Sequence, residues 1–195
     1  MGKIFYLMGK SSSGKDTIYR KLMKDKRVSL NKIIPYTTRP IREGEKEGVQ
    51  YHFTDMEGFN KLLESGKVIE YRVYNTFHGK WIYFTVADEG IDLANNDYLI
   101  IGTPQSYDDT KKYFGNDRVL PILINVDDGV RLTRALNREK KQEKPKYEEM
   151  CRRFLADAED FSEEKLKKSG INKIFNNEIL DNCIEEVVEF ILTNL

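Results

Sequence analysis

Short apolar runs alternate with amphipathic stretches along the chain. Four runs have the continuity of buried strands, at positions 4–8, 98–101, 119–126 and 174–175. Positions 181–195 have helical periodicity, with one apolar face made by Ile184, Val187, Val188, Ile191 and Leu192. A second helical stretch starts near Tyr147 and carries on one stripe Met150, Phe154, Ala158 and Phe161. This alternation predicts an α/β fold with a parallel core sheet flanked by helices.

Two segments break the alternation. Segment 34–87 contains short, aromatic, strand-like pieces at 49–53, 68–73 and 81–86, separated by glycine and polar turns. It indicates an inserted, mainly β lobe. Segment 131–146 is strongly basic, with Arg131, Arg134, Arg138, Lys140, Lys141, Lys144 and Lys146. We expect one domain whose core is built from 1–33, 88–130 and 147–195.

Composition narrows the classes of function. The 195 residues are 39% hydrophobic, and 32 basic side chains balance 32 acidic ones. A chain without net charge has no overall field to attract nucleic acid or an anionic membrane, so we expect neither as a partner. Its two cysteines and two histidines lack the spacing of a zinc site. Two cysteines are also too few for a dense disulfide framework, which favours a reducing cytoplasm. The first apolar run is too short for a signal-peptide core.

The first strand leads directly into Gly9-Lys10-Ser11-Ser12-Ser13-Gly14-Lys15-Asp16-Thr17, and a helical stretch follows. This is the context of a phosphate-binding P-loop. Glycines permit a tight turn with inward N–H groups, the helix N-terminus adds positive potential, and Lys15 reaches the β- and γ-phosphates. We expect ATP to be bound by Gly9, Ser11, Ser12, Ser13, Gly14, Lys15, Asp16 and Thr17.

Asp16 stands where the strict P-loop pattern has Ser or Thr. Its carboxylate is either a Mg²⁺ ligand, directly or through water, or only a cap for the helix. Gly-Lys-Asp-Thr is similar to the loops of some small-molecule and deoxynucleotide kinases, so the substitution is compatible with an active site. The alternative for the whole segment is a Gly/Ser turn that binds nothing.

A second motif is the most specific string in the chain, Tyr36-Thr37-Thr38-Arg39-Pro40-Ile41-Arg42-Glu43-Gly44-Glu45-Lys46-Glu47-Gly48-Val49-Gln50-Tyr51-His52-Phe53. It resembles the acceptor-binding segment of guanylate kinases, Ser/Thr-Thr-Thr-Arg-x-x-Arg-x-Gly-Glu-x-x-Gly-x-x-Tyr-x-Phe. Independently of the family, two arginines three apart can grip one phosphate, because guanidinium groups bind phosphate oxygens bidentately. The alternative is a solvated basic turn paired with Glu43, Glu45 and Glu47.

The resemblance implies a P-loop nucleoside monophosphate kinase with a parallel core, an acceptor lobe at about 34–87 and a basic helical lid at about 131–146. Arg39, Arg42 and Tyr51 would hold the α-phosphate of the acceptor, while Glu70 would accept hydrogen bonds from guanine. The full acceptor set is Thr38, Arg39, Arg42, Tyr51, Glu70, Tyr83, Thr85 and Thr103. The catalytic cations would be Lys15, Arg134, Arg138 and Arg152, and Asn176 would lie near the donor base. An exposed, salt-bridged helix is the alternative for the arginines, and a turn residue is the alternative for Asn176.

The sequence also departs from the family pattern. His78-Gly79-Lys80-Trp81-Ile82-Tyr83-Phe84-Thr85 is one residue longer than the corresponding family segment, so Tyr83 and Thr85 either contact the acceptor or form an alternating strand face. Thr103 replaces an acidic residue of the family, and Pro35 replaces a polar one. The phosphate-handling residues therefore match better than the base-reading ones.

We interpret the chain as an enzyme that transfers the γ-phosphoryl group of ATP to GMP, with Mg²⁺ and with no partner other than these nucleotides. A paralogous kinase with another nucleotide or phosphorylated acceptor is one alternative. A guanylate-kinase-like interaction module without catalysis is the other. Lys15 and the arginines favour an enzyme, because a binding module has no need of cations for a γ-phosphate.

Overall fold

The computed structural model describes residues 1–42, 44–76, 79–88 and 90–195. In chain order its elements are β1 (Ile4–Met8), α1 (Lys15–Leu22), β2 (Leu30–Lys32), β3 (Tyr36–Thr37), β4 (His52–Phe53), α2 (Met56–Glu64), β5 (Val68–Thr76), β6 (Gly79–Val86), β7 (Asp97–Ile101), α3 (Pro104–Phe114), β8 (Val119–Asn125), α4 (Asp128–Glu139), α5 (Tyr147–Asp160), α6 (Glu163–Lys168), β9 (Ile174–Asn176) and α7 (Leu180–Asn194).

The core is a parallel five-stranded sheet in the order β2-β7-β1-β8-β9. The central strand β1 is fully buried, and its side chains alternate between two cores. Phe5 and Leu7 face a core that includes residues of α1 and α7, whereas Tyr6 faces the core that contains Tyr107 of α3. Each such buried side chain contributes about 1.5–3 kcal/mol. The predicted parallel α/β architecture is confirmed, and β2 is a strand that the apolar pattern did not indicate.

A second, four-stranded sheet in the order β4-β3-β6-β5 forms within segment 34–87. Strands β5 and β6 make an antiparallel hairpin, and β3 pairs with β6. Helix α2 lies within the predicted mainly β lobe; its Phe59 packs on Phe84, and the Asp55 carboxylate caps its first turn. The strand predicted at 49–53 is longer than the one observed. Gly48 has φ 70° and begins a turn, so β4 contains only two residues.

The basic segment 131–146 is not one uniform exposed surface. Its first part belongs to α4, and Arg131 is among the most buried side chains of the protein, 1% exposed. The loop from 140 to 146 is closed by Glu139, whose carboxylate accepts hydrogen bonds from the Gln142 amide and the Lys146 N–H. None of the helices in the described ranges combines the length and apolar character that crossing a membrane requires.

Candidate active site

The phosphate loop lies between the end of β1 and the start of α1, as predicted. Its tight course needs left-handed backbone at Ser12 (φ 64°) and Gly14 (φ 88°). A Cβ at Gly14 would also collide with the Asn177 amide nitrogen, and one at Gly9 would lie 2.7 Å from the Ile124 carbonyl oxygen. Gly14 is therefore required by the turn and by close packing, and Gly9 by close packing alone.

Lys15 begins α1 with a half-buried side chain that makes no hydrogen bond or ion pair with the described residues. Asp16 follows in the first turn, and its side chain is exposed. Gly14 is the N-cap residue and no side chain caps the helix. The capping interpretation of Asp16 is therefore wrong, and its carboxylate has no partner among the described residues. The Thr17 hydroxyl accepts a hydrogen bond from Arg20.

The loop backbone is held from outside by side chains of later elements. The Ser11 N–H donates to the Asp157 carboxylate of α5 at 2.7 Å, and the Ser11 carbonyl accepts from Arg131 of α4 at 2.9 Å. Arg131 also forms two hydrogen bonds with Asp128, which keep the pKa of that carboxyl below its ordinary value. Beyond β9, the Asn177 amide donates to the Ser13 carbonyl at 2.8 Å. Sequence reasoning missed these supports, because a buried arginine and an Asn after a short strand carry no motif.

A cavity of about 270 Å³ opens between the phosphate loop, α4, α5 and the acceptor segment. Its lining includes four cationic side chains, Arg42, Arg138, Lys146 and Arg153, and the carboxyl groups of Glu139 and Glu149. Such a concentration of guanidinium groups beside a phosphate loop favours binding of a polyphosphate.

The predicted catalytic arginines separate in the structure. Arg138 lines the cavity, whereas Arg134 is exposed and does not. Arg152 is exposed and forms a two-point ion pair with Glu149, so the structure does not place it at the phosphate loop. The next residue, Arg153, lies about 100° further around the helix. Its guanidinium donates to the Ser11 hydroxyl at 3.3 Å.

Arg39 is 3% exposed and lies in the acceptor lobe. Its guanidinium donates to both carboxylate oxygens of Glu45, at 2.7 and 2.5 Å, and to the Tyr83 hydroxyl at 3.1 Å. Its Cζ lies 5.0 Å from the Tyr51 ring centroid. Arg42 is exposed, with its guanidinium 6.0 Å from the Trp81 ring.

The alternative of a solvated basic turn is wrong for Arg39, since this arginine is paired but buried. Of the acidic residues expected to pair with it, only Glu45 does so among the described residues. Glu47 instead accepts from the Phe53 N–H and hydrogen-bonds the His52 ring. Glu43 and His78 lie outside the described residues.

Glu70 lies on the same face of the lobe, 4% exposed. The Thr85 hydroxyl donates to its Oε1 at 2.7 Å, and its Oε2 lies 3.3 Å from Arg72 Nε. Burial raises the pKa of Glu70, although Arg72 and Thr85 oppose the shift. Strand register places Glu70 opposite Thr85 and Arg72 opposite Tyr83. The two interpretations of Tyr83 and Thr85 are thus compatible: both lie on an alternating strand face, and that face also carries Glu70 and contacts Arg39.

Three further predicted residues are engaged in local structure. The Thr38 hydroxyl accepts from the Ile82 N–H at 2.9 Å. Thr103 is the N-cap of α3, where it forms a capping box with Ser106. Asn176 ends β9 and accepts from the Asn125 amide. The described residues contain no group of three or more His, Cys, Asp or Glu side chains that could hold a metal ion.

Comparison with known proteins relates the first part of the chain to one family. Residues 1–87 match the family described as "Guanylate kinase". A guanylate kinase from Anaplasma phagocytophilum is 39% identical over 80 residues, 40% of this chain and 38% of the relative. One from Malacoplasma penetrans is 33% identical over 138 residues, 71% of this chain and 58% of the relative. The sequence matches thus span less than two thirds of these curated relatives.

The fold comparison extends further along the chain. A crystal structure of guanylate kinase from Anaplasma phagocytophilum superposes with a TM-score of 0.64 at 22% identity, covering 98% of this chain and 85% of that chain. Residues 1–87 therefore match the guanylate kinase family in sequence, and the chain as a whole shares the fold of that crystal structure.

Proposed function

We propose that this protein is a nucleoside monophosphate kinase that transfers the γ-phosphoryl group of ATP to GMP. One observation carries the proposal. A cationic cavity is lined by Ser11 of the phosphate loop that leads to Lys15, and by Arg42 of the acceptor segment, together with Arg138 and Arg153. Phosphoryl transfer needs little covalent assistance, so positioned cations are its main catalytic devices.

The residues divide into three roles in this proposal. The loop residues Gly9, Ser11, Ser12, Ser13, Gly14, Asp16 and Thr17 would hold ATP together with Asn176. Lys15, Arg134, Arg138 and Arg152 would neutralise the migrating phosphoryl group, and the contact of Arg153 with Ser11 adds this arginine to the set. The acceptor would be held by Thr38, Arg39, Arg42, Tyr51, Glu70, Tyr83, Thr85 and Thr103.

Mg²⁺ would enter as the partner of ATP. The free carboxylate of Asp16 fits this ion, because Mg²⁺ prefers oxygen ligands and keeps several waters. When bound, the ion neutralises phosphate charge. A carboxylate in the first turn of a helix that follows a phosphate loop can reach such an ion directly or through one of its waters.

We propose that the chain works as one domain with a core, an acceptor lobe at about 34–87 and a lid at about 131–146. Closure of lobe and lid over two nucleotides would exclude water that would otherwise hydrolyse ATP. Because Arg131 is held against Ser11, the part of the lid that moves would begin beyond it. A reducing cytoplasm remains part of the proposal, since both cysteines are free thiols.

A paralogous kinase with a different acceptor is the second candidate. Two observations favour it over the interaction module: the Thr103 hydroxyl is used in a helix cap, and the Glu70 carboxylate has Arg72 beside it. Both change the base-reading end of the face and leave the phosphate-handling end intact.

A coupled ADP-release screen over GMP, dGMP, AMP, CMP, UMP, dTMP and IMP tests the proposal. We expect the highest kcat/KM with GMP, and a loss of preference in Glu70→Gln, because an ionised carboxylate accepts from N1–H and the exocyclic amine of guanine. Turnover that is highest with another monophosphate would support the paralogue. Absence of turnover with all of them would contradict both kinases.

A further inference from the structure

Lys146 lines the cavity beside the phosphate loop, and none of the roles assigned above includes it. It is the N-cap residue of α5, and Pro145 directly before it has a φ angle fixed by its ring. Its side chain is exposed, and its ammonium group forms no hydrogen bond or ion pair with the residues that the structure describes. A cation of this kind in a cavity wall is available to an anionic ligand.

The spacing of residues along α5 connects Lys146 with the phosphate loop. Positions 146, 150, 153 and 157 recur at helical intervals, so they lie on one side of the helix. At the far end of this stripe the Asp157 carboxylate accepts from the Ser11 N–H, and Arg153 donates to the Ser11 hydroxyl. Lys146 and Arg153 are about 10 Å apart along the axis. Because both side chains are long, one chain of phosphate groups can contact both cations.

The same cavity contains a carboxylate that is unexpected in a site for a polyanion. Glu139 lines the cavity and is only 8% exposed. A buried carboxylate loses hydration and repels phosphate, so its presence indicates a compensating role. Both of its oxygens bind the loop that leads to α5, since the Gln142 amide donates to Oε1 and the Lys146 N–H to Oε2, each at 3.1 Å. Glu139 thus fixes the backbone from which the Lys146 side chain extends.

We propose that the Lys146 ammonium group binds the terminal phosphates of the donor nucleotide and that Glu139 is the residue that positions it. This inference rests on the proposed function and adds one cation to its donor site. The donor is favoured over the acceptor because α5 contacts the phosphate loop through Asp157 and Arg153. From the described part of the acceptor lobe, only Arg42 belongs to the cavity lining.

The experiment compares wild type with Lys146→Met, Lys146→Arg and a matched control, Lys144→Met, which removes an exposed cation of the same loop that does not line the cavity. Isothermal titration calorimetry with inorganic tripolyphosphate measures binding without turnover, and a coupled assay measures kcat/KM for ATP. We expect Lys146→Met to weaken tripolyphosphate binding and to lower kcat/KM for ATP by about tenfold each, because a hydrogen bond between charged groups is lost. Lys146→Arg keeps a cation and should recover most of both. Lys144→Met should stay within about twofold of wild type.

A double-mutant cycle with Glu139→Ala tests the positioning role. This change removes a negative charge from the cavity, so electrostatics alone predicts tighter binding of tripolyphosphate. If Glu139 positions Lys146, Glu139→Ala should instead weaken binding by about fivefold in wild type and should not weaken it in Lys146→Met. An equal loss on both backgrounds, or tighter binding on both, would overturn the positioning role. If Glu139→Ala does not fold, Glu139→Gln replaces it, because the amide keeps only one acceptor oxygen.

Two results overturn the phosphate contact. One is equal behaviour of Lys146→Met and Lys144→Met. The other is unchanged tripolyphosphate binding in Lys146→Met together with a smaller rise in Tm on addition of GMP, which would place Lys146 at the acceptor.

Binding and turnover separate this inference from the proposed function. Tripolyphosphate binding that Lys146→Met weakens, in a protein without turnover, contradicts the kinase and retains the phosphate contact. Turnover of ATP with GMP that Lys146→Met leaves unchanged retains the kinase and contradicts the contact. Neither binding nor turnover in wild type contradicts both.

Discussion

The phosphate loop and the acceptor face hold their polar groups in different ways. Around the loop, the Ser11 N–H donates to Asp157, the Ser11 carbonyl accepts from Arg131, and the Ser13 carbonyl accepts from Asn177. On the acceptor face, charged side chains pair with each other, Arg39 with Glu45 and Arg72 with Glu70. The loop backbone is thus preorganised by protein groups, while its Ser12 and Ser13 hydroxyls have no partner among the described residues. Preorganisation avoids an ordering cost when the ligand binds.

Loss of the free cation on the preorganised loop should have the largest effect. Lys15→Ala removes a side chain that makes no hydrogen bond or ion pair with the described residues, so we expect kcat to fall at least about 100-fold with an unchanged Tm. The matched control is Lys21→Ala, on the same helix and exposed, paired only with Asp181. Unchanged turnover in folded Lys15→Ala protein would sink the assignment of the loop.

On the acceptor face, Arg42 offers the cleaner test of phosphate grip. It is exposed and its side chain forms no ion pair with a carboxylate among the described residues, so Arg42→Gln should raise KM for the monophosphate by about tenfold while KM for ATP changes little. Arg39→Ala should do the same and also lower Tm, because it leaves Glu45 without its partner. Steady-state kinetics with each substrate varied in turn measures both; equal changes in the two KM values would mean that the lobe is misplaced.

The hydrogen bonds that Arg131 and Asp157 make with Ser11 can be removed without changing the loop itself. Arg131→Met removes the hydrogen bond to the Ser11 carbonyl and leaves Asp157 and Asp128 without their buried partner. We expect KM for ATP to rise by about fivefold, with the KM of the monophosphate unchanged, and the free energy of unfolding to fall by about 1–3 kcal/mol. The double variant Arg131→Met/Asp157→Asn should recover part of that stability. A rise confined to the KM of the monophosphate would contradict a role of Arg131 in supporting the ATP-binding loop.

Acid should affect the two ends of the acceptor face with opposite sign. Hydrogen bonds from Arg39 lower the pKa of Glu45 from its usual 4.5 to about 2. A carboxyl with a lowered pKa stabilises the folded state above its unfolded pKa, and that stabilisation is lost as the pH falls from 4.5 towards 2. Burial raises the pKa of Glu70, so protonation of this group favours the folded state instead.

Chemical denaturation at several pH values tests this difference. Glu45→Gln should lose less stability between pH 4.5 and 2 than wild type does. Glu70→Gln should lack the stabilisation that protonation of Glu70 gives the wild type as the pH falls towards 4.5 from above. If the stability of Glu45→Gln and that of wild type fall in parallel with pH, the Arg39–Glu45 pair does not stabilise the fold.

Much of the fold was predictable because continuous apolar runs mark buried parallel strands. β1, β7, β8 and β9 were found in this way, and so was α7. β2 was missed, since Leu30-Asn31-Lys32 is a half-exposed edge strand whose partner is nearly 70 residues away in sequence, at Asp97. Helix α2 was missed because its nine residues are short for a periodicity argument.

The site residues also divide into those that local sequence motifs predict and those that they do not. Lys15, Arg39, Glu70, Tyr83 and Thr85 were placed by local motifs, and the structure brings the last four onto one face. Arg153, Arg131, Asp157 and Asn177 were missed, because their positions depend on helices and a strand that return to the loop from over 100 residues away. No local sequence pattern shows which side of such a distant helix faces the loop.

The central place of β1 in its sheet affects how the chain folds while it is being synthesised. β1 is hydrogen-bonded on one edge to β7 and on the other to β8, and both are translated much later. At typical ribosomal speeds the strand waits roughly 6 to 25 seconds before its second neighbour emerges. During that interval an apolar strand with two unpaired edges is a template for pairing with other nascent chains. A fragment ending at residue 87, where the family match stops, retains this exposure permanently and is a poor candidate for separate expression.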